Sequence, residues 1–224
     1  MIPLYDILPS RKRPYVMWCI ILINVIVYIY ELTLGSHGMR VFFYLYGLVP
    51  ARYTVAQFQA VTGLEPSFLP FISHMFIHGS FFHILGNMWF LWIFGDNVED
   101  IMGHTRFAIF YISSGIMASL FHFLLNMHST IPMVGASGAI SAVMGSYFVL
   151  FPYSRIVTLL PLIFFFTLVE IPAYFFLFIW FILQLVNGLS ASTMFSSVAW
   201  WAHVGGFVVG TIWGWFFRKK VYWL

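Results

Sequence analysis

Charge is what this sequence has least of. Aspartate, glutamate, lysine and arginine together make up 8% of its 224 residues, against about 25% in a soluble domain. So few charges cannot clothe a water-facing shell. With 62% hydrophobic residues and a mean hydropathy of +0.93, the class left is a polytopic membrane protein without a soluble module. Cysteine is almost missing too: Cys19 stands alone in an apolar run, which excludes an internal disulfide. The net charge of +3 does not point to nucleic acid, because the basic residues sit in short loops and at the ends. The first hydrophobic run is long and has no small-residue cleavage site, so a cleaved signal peptide is not expected.

What is there is length in apolar runs. A span needs roughly 20 such residues. Six are expected, at about 16–34, 81–95, 106–126, 136–151, 168–188 and 197–217. The segment 35–80 carries Pro50, Pro66 and Pro70 and is too broken to span; it reads as a long first loop with amphipathic pieces in the membrane interface. Residues 156–166, interrupted by Pro161, read as re-entrant or interfacial. The expected fold is all-α, one domain over 1–224, with an N-terminal tail at 1–14 and a C-terminal tail at 218–224. Six spans put Arg11, Lys12, Arg13, Arg106, Arg155, Arg218, Lys219 and Lys220 on one side and only Arg40 and Arg52 on the other. That asymmetry makes both termini cytoplasmic.

Polar side chains inside spans are costly and need a reason. His83 and Asn87 open the second span, Ser137 the fourth, and His203 lies in the first turns of the sixth. These three spans run in the same direction, so the four residues share a depth near the outer leaflet. In the sixth span His203, Gly206, Gly210 and Gly214 share a face; in the fourth, Ser137, Ser141 and Gly145 do. Small faces let membrane helices approach closely, which would bring Ser137 against His203.

A serine attacks poorly unless a base takes its proton, and a neutral histidine can be that base. The oxyanion formed on an amide needs donors already in place; candidates are the Ser137 amide at a helix N-terminus and the side chains of His83 and Asn87. The acids nearest the spans, Asp96, Glu99, Asp100 and Glu170, are badly placed to orient His203, so a dyad fits better than a triad. "GASGA" lacks the last glycine of the nucleophile elbow, and no H-E-x-x-H is present for a zinc protease.

"HGSFFHILGNMWFLWIFGDNVEDIMG", "GASGAISAVMG" and "WAHVGGFVVG", in that order, resemble the rhomboid family of intramembrane serine proteases over about residues 68–216. The resemblance implies a six-helix core and a Ser–His dyad that cleaves single-span membrane proteins in or near their transmembrane segment, without metal or cofactor. It makes Ser137 the nucleophile and His203 the base, with His83, Asn87 and the Ser137 amide as the oxyanion hole and Gly135 in the loop that shapes it. It makes 35–80 the membrane-embedded first loop and the fifth span the lateral gate. Three departures stand out. Leu69 and Pro70 occupy the place of a Trp-Arg pair found in some members. Ser141 replaces a tyrosine that stacks on the catalytic histidine, which implies a less firmly held His203. Gly86 replaces a bulky aromatic before the asparagine, which bears on the gate.

Each residue also has a plainer reading. Ser137 alone could cap a helix, His203 could be a satisfied core histidine, and Asn87 could be interhelical glue. His74, His78 and His83 could suggest a metal, but no carboxylate or cysteine completes a shell; hydrogen bonds bracing the first loop are the expected role of His74 and His78. Glu99 reads as a structural acid capping the inner turn, and His122 and His128 as bystanders. The competing functions are a catalytically silent scaffold that binds transmembrane clients and a transporter or channel. The intact Ser137–His203 pair speaks against the first. The single-leaflet clustering and the lack of an inverted repeat speak against the second. Expected partners are single-span substrates and the lipid bilayer, with no nucleic acid and no metal. The short termini favour the inner (plasma) membrane of a bacterial cell. Hydrolysis needs water, so a polar cavity lined by His83 and Asn87 is expected above Ser137.

Overall fold

The computed structural model describes residues 1–161, 166–190 and 198–221. Helix α1 (Tyr15–Thr33) follows Pro14 and ends where Gly35 turns the chain at φ +63°. Its first turn is satisfied from outside: buried Glu99 accepts the Val16 and Met17 N–H groups at 3.0 and 2.8 Å. The next segment is broken as its prolines demand. It forms α2 (Gly35–Tyr46), α3 (Ala51–Thr54), α4 (Ala56–Thr62), α5 (Pro70–Ser73) and a 3-10 turn at His74–Phe76. Side chains bond backbone carbonyls across these pieces: an Arg52 guanidinium N–H reaches Leu45 O at 3.0 Å, and the Tyr53 hydroxyl reaches Ser67 O at 2.7 Å. A paired bridge between Leu48 and Met133 ties the loop to the chain entering the fourth expected span.

Helices α6 (Phe81–Met102) and α7 (His104–Leu125) meet at Gly103, whose φ of +81° makes the corner. Helix α6 is longer than the expected 81–95, because "GDNVED" continues the helix and sets Glu99 under α1. Then come α8 (Ser137–Leu150), α9 (Ala173–Ser190) and α10 (Trp200–Val221). Helix α8 is central and buried along nearly all its length, with α6, α7 and α10 around it. Its closest partner is α10, and glycines set the distance. A Cβ at Gly210 would run into the Ala142 carbonyl, one at Gly206 into the Gly138 carbonyl, and one at Gly145 into the Phe207 carbonyl. By length and composition α1, α7 and α9 can each cross a membrane. Large apolar side chains remain exposed along α1, Leu22, Ile26 and Ile29 being 58%, 56% and 57% accessible. Surface of that kind belongs against lipid or protein, not water.

The all-α expectation is corrected by a three-stranded antiparallel sheet. Strands β1 (Ile2–Asp6), β2 (Arg155–Pro161) and β3 (Phe166–Pro172) lie in that order, with Ile156 opposite Ile171 and Asp6 opposite Ile156. The tail at 1–14 is therefore partly a strand, and the stretch at 156–161 is extended. "RIVTLLP" and "FTLVEIP" are rich in β-branched residues, and Pro161 and Pro172 push the residues before them into extended backbone. This is why α9 begins at Ala173 and not at the expected 168. Residues 162–165 of the re-entrant stretch, residue 197 of the sixth span and residues 222–224 of the C-terminal tail lie outside the described residues.

Candidate active site

The turn before α8 is built for its first residue. Gly135 has φ +119°, a region open to glycine and rarely to others. Its N–H donates to His74 O at 2.9 Å, and a Cβ there would lie 2.6 Å from His83 Nε2. Ala136 then caps and Ser137 opens the helix without using its own side chain as the cap. Ser137 Oγ lies 2.8 Å from His203 Nε2 on α10. Both residues are half-buried. The two small faces expected from the spacing do pack together, and the hydroxyl is within proton-transfer reach of the imidazole.

The other expected site residues stand around the same space. Asn87, 8% exposed, has its side-chain nitrogen 2.8 Å from His78 Nε2. The His78 ring meets that of His83 edge-on at 5.1 Å. Burial pushes His78 down to about 3 and His74 down to about 4, so both are neutral at pH 7. A neutral His78 can accept the Asn87 N–H at Nε2, which leaves the second amide N–H of Asn87 for the cavity. His74 Nδ1 bonds Pro70 O at 2.9 Å, and the His78 backbone N–H donates to Glu31 Oε1 at 3.1 Å. The expected bracing of the first loop is thus present. Among the described residues no three histidine, cysteine, aspartate or glutamate side chains gather as a metal site.

Ser137, His203, His83, Asn87 and Gly135 all line one cavity of about 650 Å³, which also reaches Ser141, Met144 and Trp180. The lining joins these polar groups to apolar ones, Phe90, Ile140 and Met144 among them. A Cβ on Gly86 would meet nothing within 4 Å, so that side of the cavity is open. The Ser141 hydroxyl donates to Ser137 O at 2.6 Å. The expected looseness of His203 is corrected all the same. Its Nδ1 bonds Gln184 Oε1 at 2.9 Å, and the Trp180 and Trp200 rings stand 6.1 and 6.0 Å from the imidazole. Gln184 was missed in the sequence. An amide in a mostly apolar helix was the available signal, but its partner lies 19 residues away on another helix. Glu31 was missed for the same reason.

Residues 65–220 match the family described as "Rhomboid domain". The chain belongs to the rhomboid family. It is 30% identical over 175 residues to "Rhomboid protein 1, mitochondrial" of Saccharomyces cerevisiae, covering 76% of this chain and 46% of that one. It is 30% identical over 100 residues to the mouse "Presenilin-associated rhomboid-like protein, mitochondrial" (44% of this chain, 26% of that one). It is 30% identical over 132 residues to "Rhomboid-like protein 11, chloroplastic" of Arabidopsis thaliana (59% and 40%). The rhomboid chain thus spans less than half the length of these curated relatives. Their names overturn the expected cell inner (plasma) membrane, since they are mitochondrial and chloroplastic proteins. The physical reason is that short segments outside the spans, like lysine and arginine asymmetry, bear on how a chain sits in a bilayer and carry nothing about which bilayer it is.

Proposed function

We propose that this rhomboid is an intramembrane serine endopeptidase that cuts single-span membrane proteins within or near their transmembrane segment. The observation that carries the reading is the 2.8 Å approach of Ser137 Oγ to His203 Nε2 at the head of a cavity. Ser137 Oγ attacks the scissile carbonyl while its proton passes to Nε2. The oxyanion faces the Ser137 N–H, the free amide N–H of Asn87 and the His83 ring, with Gly135 keeping the loop clear of them. His203 then gives its proton to the leaving amine. Water entering the cavity hydrolyses the acyl-enzyme by the same steps reversed in role, with no metal or cofactor.

The proposed setting is six spans, α1, α6, α7, α8, α9 and α10, in one domain with both termini on the lysine- and arginine-rich side. The sheet supports it: β1 precedes α1 and pairs with β2 beyond α8, so an even number of spans separates them. The proposed membrane is organellar, on the names of the relatives. The test is labelling by a fluorophosphonate probe, mapped by mass spectrometry, together with cleavage of a model single-span substrate. Wild type should carry the adduct on Ser137, and Ser137→Ala and His203→Ala should each lose labelling and cleavage. A folded wild type that neither labels nor cuts would leave the silent scaffold as the function.

A further inference from the structure

We propose that Gln184 is a positioning residue for His203, its side-chain carbonyl holding the imidazole in the tautomer that can take the Ser137 proton. The inference rests on the dyad reading and deepens it. Gln184 is 7% exposed on α9, a helix whose side chains are otherwise nearly all apolar. An amide buried there must spend both its ends on partners. Its Nε2 donates to Trp180 O at 3.2 Å, and a carbonyl can only accept. The amide is thereby oriented, and Oε1 is the end that faces His203 Nδ1 at 2.9 Å.

Oε1 also can only accept, so Nδ1 must carry the hydrogen. A neutral imidazole protonated at Nδ1 has a bare Nε2, which is the atom 2.8 Å from Ser137 Oγ. The hydrogen bonds then all run one way: Ser137 Oγ–H to His203 Nε2, His203 Nδ1–H to Gln184 Oε1, Gln184 N–H to Trp180 O. With the opposite tautomer the Gln184 contact fails, since a bare Nδ1 would face Oε1, and Nε2–H could only donate to the Ser137 hydroxyl and not take its proton. Trp180, one helical turn from Gln184, also lays its ring beside the imidazole at 35° between planes, and the Trp200 ring meets it edge-on at 87°. Helix α9 therefore supplies both the tautomer and part of the ring's orientation. It does so without a formal charge, so it stabilises an imidazolium less than a carboxylate would.

The experiment uses the full chain in detergent and a fluorophosphonate probe, with Gln184→Leu, Gln184→Glu and Ser137→Ala beside wild type. Leucine fills the space without an acceptor; glutamate keeps one. Gln184→Leu should lower the maximal labelling rate about 10–100-fold while the half-saturating probe concentration stays the same, as expected for a misplaced base. Gln184→Glu should restore most of the rate. In ¹⁵N-histidine NMR, His203 of wild type should show the Nδ1–H form, and Gln184→Leu should show a mixture. A Leu variant that labels as fast as wild type would overturn the positioning role. So would Leu and Glu variants equally slow and equally lowered in unfolding temperature, which would mean packing alone. Absence of the Ser137 adduct in wild type itself would instead bring down the dyad reading, and this inference with it.

Discussion

Gly135 does what no side-chain-bearing residue could do at its place. Its backbone sits at φ +119°, its N–H holds His74 O, and the space where a Cβ would go is filled by the His83 ring. Strain of this kind costs about 1–3 kcal/mol, and here it would be relieved by moving the loop that carries Ser137. Gly135→Ala should therefore cut fluorophosphonate labelling at least about tenfold, in line with the cost of misplacing reacting groups, at a small change in unfolding temperature. Gly86 lines the same cavity with open space where its Cβ would point. Gly86→Ala should label like wild type. Two glycines in one cavity would then differ for a reason visible in their surroundings.

The contact between α8 and α10 is set by backbone meeting backbone. Gly206, Gly210 and Gly145 stand where a Cβ would enter a facing carbonyl, and the Ser146 hydroxyl donates across to Gly210 O at 2.7 Å. Gly210→Val must push the helices apart, carrying Ser137 and His203 with them. Overpacking costs typically about 1–3 kcal/mol, and rigid backbone on the other side puts this case at the upper end; unfolding and labelling should both suffer. The sheet answers to pH. Burial pushes Asp6 up to about 7, beside Asp96, and the Tyr147 hydroxyl donates to its carboxyl. An unfolded aspartate titrates near 3.8, so the native state prefers the neutral form. Its stabilisation is full below that value and is lost as pH rises to about 7. Amide protection in β1, corrected for intrinsic exchange, should fall over that window, and Asp6→Asn should remove the fall.

At the scale of the molecule, the first loop titrates in the opposite sense. His74 and His78 are held neutral, with values pushed down by burial to about 4 and about 3. The unfolded chain takes their protons from near 6.5 downward, so their share of stability is complete above that value and is lost as pH falls toward 4. Asp6 acts in the opposite sense over the same window, so the reading is a difference between variants. His78→Gln, which keeps an acceptor toward Asn87 and cannot be protonated, should gain denaturation midpoint relative to wild type as pH falls from 7 to 4. The six-span arrangement has its own test. In a Cys19→Ala background, single cysteines at Arg11 and Glu170 should react with an impermeant maleimide from one side, and one at Arg40 from the other. Reaction of Arg11 and Glu170 positions from opposite sides would break the even count that the β1–β2 pairing implies.

Composition and spacing alone determined a great deal here. Scarce charge named the solvent, apolar runs located the long helices to within a few residues except at the C-terminal end of α6 and the start of α9, and small residues at helical spacing foretold which faces of α8 and α10 would meet. Those are local properties, written in neighbours along the chain, and so is the family signature around Ser137 and His203. Tertiary structure decided what depends on distant partners. "RIVTLLP" and "FTLVEIP" are apolar enough to pass for membrane-interface segments; they are strands because each finds the other's backbone, and β1 finds theirs, at separations no period reveals. Gln184 looks like a stray amide until α9 lies against α10 and its carbonyl faces His203. Glu99 looks like one acid of a charged turn until the start of α1 settles on it. A hydrogen bond is directional and short-ranged, so its two ends become legible only once folding has brought them together.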